Sequence, residues 1–355
     1  MPYQLNEKLR GLTPYDPIEG EYRIRLDANE SFLPLPPNVR AQLQERIACL
    51  PFERYPDPLC GELCRAFAGY YDIDPAYVTA GNGSDELISI LTGSFLMKGQ
   101  TVATLEPDFS MYRFYASAAE MKTVSIPKEE NLQISVDKVI DACRAQRPDM
   151  LIFSNPCNPT GQGLAKEEVC RLITALEDVL VVVDEAYMDF WDQSLISEVM
   201  RYDNAVLLRT CSKAVGGAGM RLGFAVANQQ ITNALRAIKS PYNVNSMSQA
   251  AGACLLSHKQ ELQQAKETLI AARQELQAGL ERLAGAYSQL CVYPSCTNFV
   301  LVALPHTKEL FDYLKSNGIV VRYMGRYLRI TAGNPEENSA LLQQIENFLA
   351  HDATV

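Results

Sequence analysis

The sequence has few of the features of a metal-binding, secreted or membrane protein. Only three of its 355 residues are histidine, and its ten cysteines show no paired C-x-x-C spacing. Because a zinc site needs several such ligands at short spacing, no zinc site is expected, and we interpret the cysteines as reduced core residues. No apolar segment reaches the length of a signal peptide or a transmembrane helix, so we predict a soluble, cytoplasmic protein.

Positive charge is also scarce. The chain has 32 Lys and Arg against 42 Asp and Glu, a formal net charge of -10. A general surface for nucleic acid or anionic lipid needs an excess of basic residues, so neither partner is expected. A small anion can still be bound by a local group of arginines. The 47% of hydrophobic residues suffice for a large core, and the length indicates two domains.

Short β-rich segments alternate with longer amphipathic segments from residue 75 onward. The predicted strands include Tyr77–Thr79, Thr101–Leu105, Met150–Phe153, Val179–Val183 and Ala205–Leu208, and the predicted helices include Asp85–Leu96, Lys166–Leu176 and Ser194–Met200. This alternation is typical of βαβ units and a mostly parallel sheet. The strands are apolar at successive positions, which indicates that both faces of the sheet are covered.

The pattern divides the chain into three parts. Residues 1–37 are rich in proline and are predicted to form an extended arm rather than a helix or a central strand. Residues 38–245 are predicted to form a large α/β domain. After Pro241 the pattern changes to a long helical segment, 246–290, followed by strands and helices, which predicts a smaller α+β domain over residues 246–355.

Polar residues follow two of the predicted strands directly. Asp184 comes after Val179–Val183, and Lys213 lies shortly after Ala205–Leu208 in a segment rich in glycine and alanine. In open α/β sheets, ligands bind beyond the carboxyl ends of the strands. Alone, Asp184 is more consistent with a turn or a helix cap, and Lys213 with an exposed lysine in a loop. Nearby donors suited to a phosphate are Thr210, Ser212 and Arg221.

Three further segments carry candidate binding residues. Ala80–Glu86 is a glycine-rich loop before a helix, which suits a phosphate, but it lacks the third glycine of G-x-G-x-x-G and the G-K-[ST] of a P-loop. This argues against a nicotinamide-dependent dehydrogenase. Asn158, in the rigid turn Ser154–Gly161, can donate to a ring oxygen, although the segment can also be only a turn. Arg329 on a predicted strand needs an anionic partner, either a structural Asp or a substrate carboxylate.

Together these motifs resemble the aspartate-aminotransferase-like enzymes of fold type I, which use pyridoxal 5'-phosphate (PLP). The resemblance covers nearly the whole chain and rests on Asn158-Pro159-Thr160-Gly161, Asp184-Glu185-Ala186-Tyr187, Ser212-Lys213-Ala214 and Arg221-Leu222-Gly223-Phe224. Thr13-Pro14-Tyr15 and Arg54-Tyr55-Pro56 are similar to the histidinol-phosphate aminotransferase family within that group. The resemblance implies transamination of L-histidinol phosphate with 2-oxoglutarate in histidine synthesis, and a large domain with a mostly parallel seven-stranded sheet beside a smaller α+β domain.

The resemblance also implies a role for each cofactor residue. Lys213 would bind PLP as a Schiff base and move the substrate proton, and Asp184 would pair with the pyridine nitrogen. Asn158 and Tyr187 would bind the phenolic oxygen, and Phe109 would stack on the ring. The phosphate would be held by Gly83, Ser84, Asp85, Thr210, Ser212 and Arg221, with Tyr55 reaching it from the neighbouring subunit of a homodimer.

The substrate residues follow from the same resemblance. Arg329 would bind the α-carboxylate and Arg322 the substrate phosphate, with Tyr15 and Asn29 lining the pocket. Two other substrates remain open within the family, namely aromatic amino acids and, for a decarboxylase, threonine phosphate. A PLP-binding transcriptional regulator is a further class, but it needs an added DNA-binding domain, and no basic helix-turn-helix is visible.

Overall fold

The structure is a computed structural model, and it describes residues 3–10 and 18–352. Its strands are β1 (Ile24–Leu26), β2 (Val78–Asn82), β3 (Thr101–Glu106), β4 (Lys122–Pro127), β5 (Met150–Ser154), β6 (Leu180–Asp184), β7 (Ala205–Thr210), β8 (Leu222–Ala227), β9 (Cys291–Val292), β10 (Phe299–Ala303), β11 (Ile319–Met324) and β12 (Tyr327–Thr331). Its α-helices are α1 (Glu7–Arg10), α2 (Pro37–Ala48), α3 (Gly61–Tyr71), α4 (Gly83–Ser94), α5 (Met111–Ala118), α6 (Val136–Gln146), α7 (Lys166–Ala175), α8 (Gln229–Ile238), α9 (Ser246–Ser257), α10 (Lys259–Ala286), α11 (Thr307–Ser316) and α12 (Pro335–Asp352). Single 3-10 turns occur at Pro75–Tyr77, Met188–Phe190, Val199–Arg201 and Ala218–Met220.

The larger sheet has seven strands in the order β2-β8-β7-β6-β5-β3-β4. The strands from β7 to β4 are parallel, and β8 runs antiparallel to both β2 and β7. The prediction of a mostly parallel seven-stranded sheet is therefore confirmed. Successive residues of β5 face opposite sides: Leu151 and Phe153 join one core cluster, whereas Met150 and Ile152 join another. Both faces are covered by helices, as the unbroken apolar strands indicated.

The smaller sheet has five strands in the order β1-β11-β12-β10-β9. Its inner face packs on apolar residues of α10, α11 and α12, including Leu276, Leu310 and Leu341. The proline-rich segment predicted as an extended arm thus contributes a strand, since Ile24 pairs in parallel with Ile319. Glu7–Arg10 within the same segment forms the short helix α1, where no helix was expected. With three residues, β1 is too short for a periodic pattern, and its partner strand is supplied by the other end of the chain.

Two of the predicted helices differ from the structure. The prediction of a helix over Ser194–Met200 is wrong, because that segment forms turns and a single 3-10 turn. There the Glu185 carboxylate accepts the Ser194 hydroxyl at 2.6 Å and the Leu195 N–H at 3.0 Å, which fixes the backbone outside a helix. The long helical segment 246–290 is two helices, α9 and α10, separated at His258 with φ -92° and ψ 63°.

The structure shows the state of the cysteines, the grouping of possible metal ligands and the length and polarity of the helices. All ten cysteines are free thiols. Within residues 3–10 and 18–352, no three His, Cys, Asp or Glu side chains are grouped to hold a metal ion. In the same part of the chain, each helix is too short or too polar to cross a bilayer.

Candidate active site

The carboxyl ends of the parallel strands open onto a cavity of about 380 Å³. This volume lies in the usual range for small-molecule sites, roughly 300–1,000 Å³. Segments after β3, β5, β6 and β7 form one side, and residues beside β1, β11 and β12 of the smaller sheet form the other. The predicted residues that line it are Asn29, Ser84, Asp85, Phe109, Asn158, Asp184, Tyr187, Thr210, Ser212, Lys213, Arg221, Arg322 and Arg329.

Lys213 lies in the loop that follows β7. Its Nζ donates to the Ala28 carbonyl at 3.0 Å and is 5.7 Å from the centroid of the Tyr187 ring. The loop turns back at Gly216, which has φ +71° and donates its N–H to the Lys213 carbonyl at 3.0 Å. The amine is therefore held at the cavity by a backbone oxygen, and a compound with a reactive carbonyl can replace that contact.

Asp184 is the last residue of β6 and is 3% exposed. Its Oδ2 accepts from the Tyr112 hydroxyl at 2.8 Å, and its Oδ1 from the Ala186 N–H at 3.1 Å. Burial raises the pKa of Asp184 to about 7, although the Tyr112 hydrogen bond opposes the rise. No Lys, Arg or His of the described chain lies within ion-pair distance of this carboxyl. A protonated ring nitrogen in the cavity would supply the missing positive charge.

The start of α4 forms a close-packed anion site. At Gly83, with φ +75°, an added Cβ would lie 2.8 Å from Nη2 of Arg221, and at Gly223 it would lie 2.3 Å from the backbone of Gly83 and Ser84. Arg221 is also 3.5 Å from the Ser212 hydroxyl through Nη1. A guanidinium, hydroxyls and a helix N-terminus thus converge on one point, which is the donor set that a phosphate requires.

Two hydrogen-bonding side chains lie between Asp184 and the smaller sheet. The Tyr187 hydroxyl accepts from Nδ2 of Asn29 at 2.8 Å. Asn158 Oδ1 accepts from Nη1 of Arg329 at 2.6 Å, so its amide nitrogen is the atom left for a ligand oxygen. Phe109 meets the Tyr112 ring edge-on at 5.5 Å between centroids, at the start of α5.

Arg322 and Arg329 are direct partners across the antiparallel pair β11–β12, and both line the cavity. Arg329 is 9% exposed and donates from Nη2 to the Asp27 carbonyl at 2.6 Å. Its guanidinium is 5.5 Å from the centroid of the Phe299 ring. Two positive charges on neighbouring strands make this side of the cavity suited to anionic substrates.

Two of the predicted residues that the structure describes do not line the cavity. Gly83 lies just behind its wall, against Arg221. Tyr55 is 81% exposed and stacks on Tyr242 at 4.6 Å between ring centroids. Tyr15 lies outside the described residues.

Sequence reasoning also missed several lining residues, among them Asp27, Tyr112 and Met324. The spacing of Tyr112, three residues after Phe109 at the start of a helix, was the one available signal for it, because such residues share a helix face. Asp27 contributes through its backbone carbonyl, for which the sequence carries no signal.

The functional groups that line the cavity fit PLP. The cofactor has an aldehyde, a basic ring nitrogen and a phosphate, and the cavity offers the Lys213 amine, the buried Asp184 carboxyl and the anion site at Arg221. A buried acid without a cationic partner is costly unless it is protonated or paired. The pyridine nitrogen accounts for this acid in a way that a purely structural role does not.

Comparison with known proteins agrees with this geometry. The sequence profile described as "Aminotransferase class I and II" matches residues 22–345. The histidinol-phosphate aminotransferases of Clostridium kluyveri and Clostridium novyi are 36% and 37% identical to this chain, over 97% and 95% of it and 98% and 95% of their own lengths. The histidinol-phosphate aminotransferase of Sinorhizobium meliloti, solved in complex with PLP, superposes with a TM-score of 0.87 over 98% of both chains, and at 22% identity it shows the shared fold. The chain therefore belongs to the class I and II aminotransferases and is a PLP-dependent enzyme.

Proposed function

We propose that this aminotransferase transfers the amino group of L-histidinol phosphate to 2-oxoglutarate. The observation that carries the proposal is the pair of arginines, Arg322 and Arg329, facing one cavity from adjacent strands. Histidinol phosphate presents a phosphate and no carboxylate, whereas glutamate and 2-oxoglutarate present carboxylates. One site with two guanidinium groups can bind all three anions. The names of the relatives at 36% and 37% identity support the same substrate.

Bound PLP supplies an aldehyde carbon that combines with amines and a ring that accepts electron density. We assign its covalent attachment to Lys213, whose Nζ contacts the Ala28 carbonyl and the face of Tyr187. The same amine is the base that removes the proton from the substrate Cα. It can act in this way because it lies on the cavity wall among side chains that position the reacting atoms.

The acid and the two neutral donors around the ring have complementary roles. Asp184 would pair, once ionised, with the protonated ring nitrogen and hold that proton in place. Tyr187 and the amide nitrogen of Asn158 would donate to the phenolic oxygen. Phe109 would stack on the ring and exclude water from it.

The phosphate of the cofactor is assigned to the start of α4 and the loop after β7. The residues are Gly83, Ser84, Asp85, Thr210, Ser212 and Arg221. Asp85 accepts from Nη2 of Arg221 at 3.3 Å, which orients the guanidinium but places a like charge near a phosphate. We therefore give Asp85 an orienting role, Gly83 the role of leaving space for the Arg221 guanidinium, and the other residues a direct one.

On the substrate side, Arg329 is assigned to the carboxylate of glutamate or 2-oxoglutarate, and Arg322 to the phosphate of histidinol phosphate. Asn29 belongs to this side of the cavity and also donates to Tyr187. It therefore connects substrate binding to the phenolic oxygen site. Tyr15 remains a sequence-based assignment.

The substitution Arg322→Ala tests the choice of substrate. We expect it to raise KM for histidinol phosphate by about 10- to 100-fold, the loss of one charged hydrogen bond, and to change KM for phenylalanine far less. Arg326→Ala is the matched control, because Arg326 lies four residues away, in the turn between β11 and β12, and packs on Tyr327 at 4.8 Å without lining the cavity. Equal increases of KM for both donors would reject the phosphate assignment and favour an aromatic amino acid substrate.

We propose that the enzyme is a homodimer in which Tyr55 reaches the phosphate site of the partner subunit. The support is the position of Tyr55, which is exposed on its own subunit beside the exposed Tyr242 and does not line the cavity of its own chain. Light scattering should give twice the chain mass of 39.5 kDa. Mixing Lys213→Ala with Tyr55→Phe subunits should restore activity, because each hybrid dimer has one intact site. Mixtures no more active than their parents would reject a shared site.

The division into an arm (1–37), a large domain (38–245) and a small domain (246–355) remains a proposal. The first helix of the small part, α9, carries Leu255 and Leu256, which join the core of the large sheet. Limited proteolysis tests the boundary, since cleavage after α9 rather than before it would move the division. The cytoplasmic location also remains a prediction, to be tested by cell fractionation.

A further inference from the structure

A buried lysine lies directly behind the wall of the cavity. Lys128 follows β4, and its Nζ donates to the Pro107 carbonyl at 2.7 Å, contacts Sγ of Cys157 at 2.8 Å and is 3.9 Å from Oδ2 of Asp108. The side chains of Lys128 and Asp108 are 1% and 2% exposed. The proposed mechanism uses neither of them. Burying two charges costs several kcal/mol per ion, so such a pair requires an explanation.

The Asp108 carboxylate holds two different segments of the wall. Its Oδ1 accepts the Phe109 N–H at 2.8 Å and also the Ser154 hydroxyl, and its Oδ2 accepts the Ser154 N–H at 3.3 Å. Ser154 Oγ in turn accepts the Asn158 N–H at 3.1 Å. One carboxylate therefore fixes the backbone of Phe109 and, through Ser154, of Asn158, the two residues assigned above to the cofactor ring and its phenolic oxygen.

The positive charge of Lys128 favours the ionised form of the Asp108 carboxyl. Burial raises the pKa of Asp108, and the charge of Lys128 opposes the rise. Without a cation the acid would take up a proton, and the protonated oxygen would become a donor and a weaker acceptor. The bonds that this oxygen accepts from Phe109 or Ser154 would then be weakened or lost.

The location in the sheet explains why such a link is useful. Lys128, Asp108 and Ser154 lie at the carboxyl ends of β4, β3 and β5, which are neighbours in the sheet. Phe109 and Asn158 come from different loops after β3 and β5, which extend past the last paired residues of the two strands. Beyond the last paired residues of the strands, the hydrogen bonds of Lys128, Asp108 and Ser154 connect the two loops.

We propose that Lys128 and Asp108 are positioning residues, whose ion pair sets the relative placement of Phe109 and Asn158 and thereby the affinity for PLP. The proposal rests on the roles assigned to Phe109 and Asn158 in the proposed function, but not on which amino donor the enzyme uses. It concerns the cofactor side of the cavity alone.

The test measures PLP binding to apoenzyme variants. Lys128→Met and Asp108→Asn are each expected to raise the dissociation constant of PLP by about tenfold or more, and to alter the visible circular dichroism that bound PLP acquires from its fixed orientation. The double variant, which removes both charges, should bind more tightly than the product of the two single effects predicts. Lys138→Met is the matched control, because Lys138 forms an exposed pair with Glu129 at 2.7 Å and should leave both readings unchanged.

Ser154→Ala gives an independent test if a charge variant fails to fold. It removes the oxygen that connects Asp108 to the Asn158 N–H, with a small change in volume and no change in charge. The same shift in circular dichroism and a weaker affinity are expected. Wild-type affinity and dichroism in all of these variants, with only lower thermal stability, would overturn the proposal and leave the pair a structural one. An error in the amino donor would instead change turnover and leave PLP binding as described.

Discussion

Replacing Asp184 by asparagine is expected to stabilise the apoenzyme at high pH and to weaken its binding of PLP. In the apoenzyme the carboxyl is buried with the Tyr112 hydroxyl and the Ala186 N–H as hydrogen-bond donors, and its pKa rises from 3.8 to about 7. The folded protein therefore keeps a proton that the unfolded chain loses at lower pH. The Asp184 carboxyl makes its full contribution to the free energy of unfolding below about pH 4, and this contribution is lost as the pH rises toward 7.

The size of the effect follows from the shift in pKa. A difference of about three units at about 1.4 kcal/mol each gives a loss of about 4 kcal/mol between pH 4 and pH 8, most of it above pH 5. The amide side chain of the Asp184→Asn variant has no proton to lose, so the variant lacks this slope. At pH 8 the apo variant should therefore be more stable than the wild-type apoenzyme by up to about 3 kcal/mol, after about 1 kcal/mol for the less favourable hydrogen bond.

Urea unfolding of the two apoenzymes at pH 5 and pH 8 measures the difference. Asp203→Asn makes the same change at an exposed position and keeps Asp184, so it should show the same change in stability between pH 5 and pH 8 as the wild-type apoenzyme. With PLP bound the advantage of the Asp184→Asn variant at pH 8 should shrink or vanish, because the variant loses a charge-assisted bond worth about 1.5–3 kcal/mol and binds PLP about 10- to 100-fold more weakly. The reasoning fails if wild-type apoenzyme and variant show the same change in stability between pH 5 and pH 8.

Two other substitutions probe the packing behind the site. Gly223→Ala should raise the dissociation constant of PLP and lower Tm, because its Cβ would lie 2.3 Å from backbone atoms of Gly83 and Ser84. The control Gly69→Ala, in α3, has nothing within 4 Å of its added Cβ and should stabilise the protein by about 0.5–1 kcal/mol. Thermal unfolding with and without PLP distinguishes the two variants, and equal Tm values would contradict the close approach at Gly223. Arg209→Met should cost about 3–5 kcal/mol in urea unfolding, because it leaves the buried Glu185 and Asp189 carboxylates without their cation at 2.7 and 2.8 Å. A loss below about 1 kcal/mol would show that water or protons replace the arginine.

The central strands of the large sheet were predictable because each is a short apolar run. Met150–Phe153 and Ala205–Leu208 lie within β5 and β7, where every residue is buried. The edge strand β4 was missed, since only one of its six residues is buried and its sequence has no strong pattern. Ser194–Met200 was predicted as a helix because the sequence does not show that Glu185 binds its backbone.

The site was predictable to the extent that its residues belong to local motifs. Lys213, Asp184 and Asn158 each lie in a short segment whose chemistry can be recognised without a fold. The contacts between segments were not predictable in this way. Neither the Tyr112 bond to Asp184 nor the pairing of Lys128 with Asp108 has a sequence signature, because each joins residues that only the sheet order brings together.

The pairing of β1 with β11 has a consequence for how the protein is made. All strands of the large sheet have been synthesised once β8 is complete, but β1 has to wait for β11, near the other end of the chain, before it can pair. The segment Asp27–Asn29, which follows β1 and brings the Ala28 carbonyl to Lys213, waits with it. Domains usually form from the N-terminus onward during synthesis. Here β1 and the segment that follows it are among the last parts to reach their place, and the catalytic cavity is complete only when β11 and β12, near the other end of the chain, have left the ribosome.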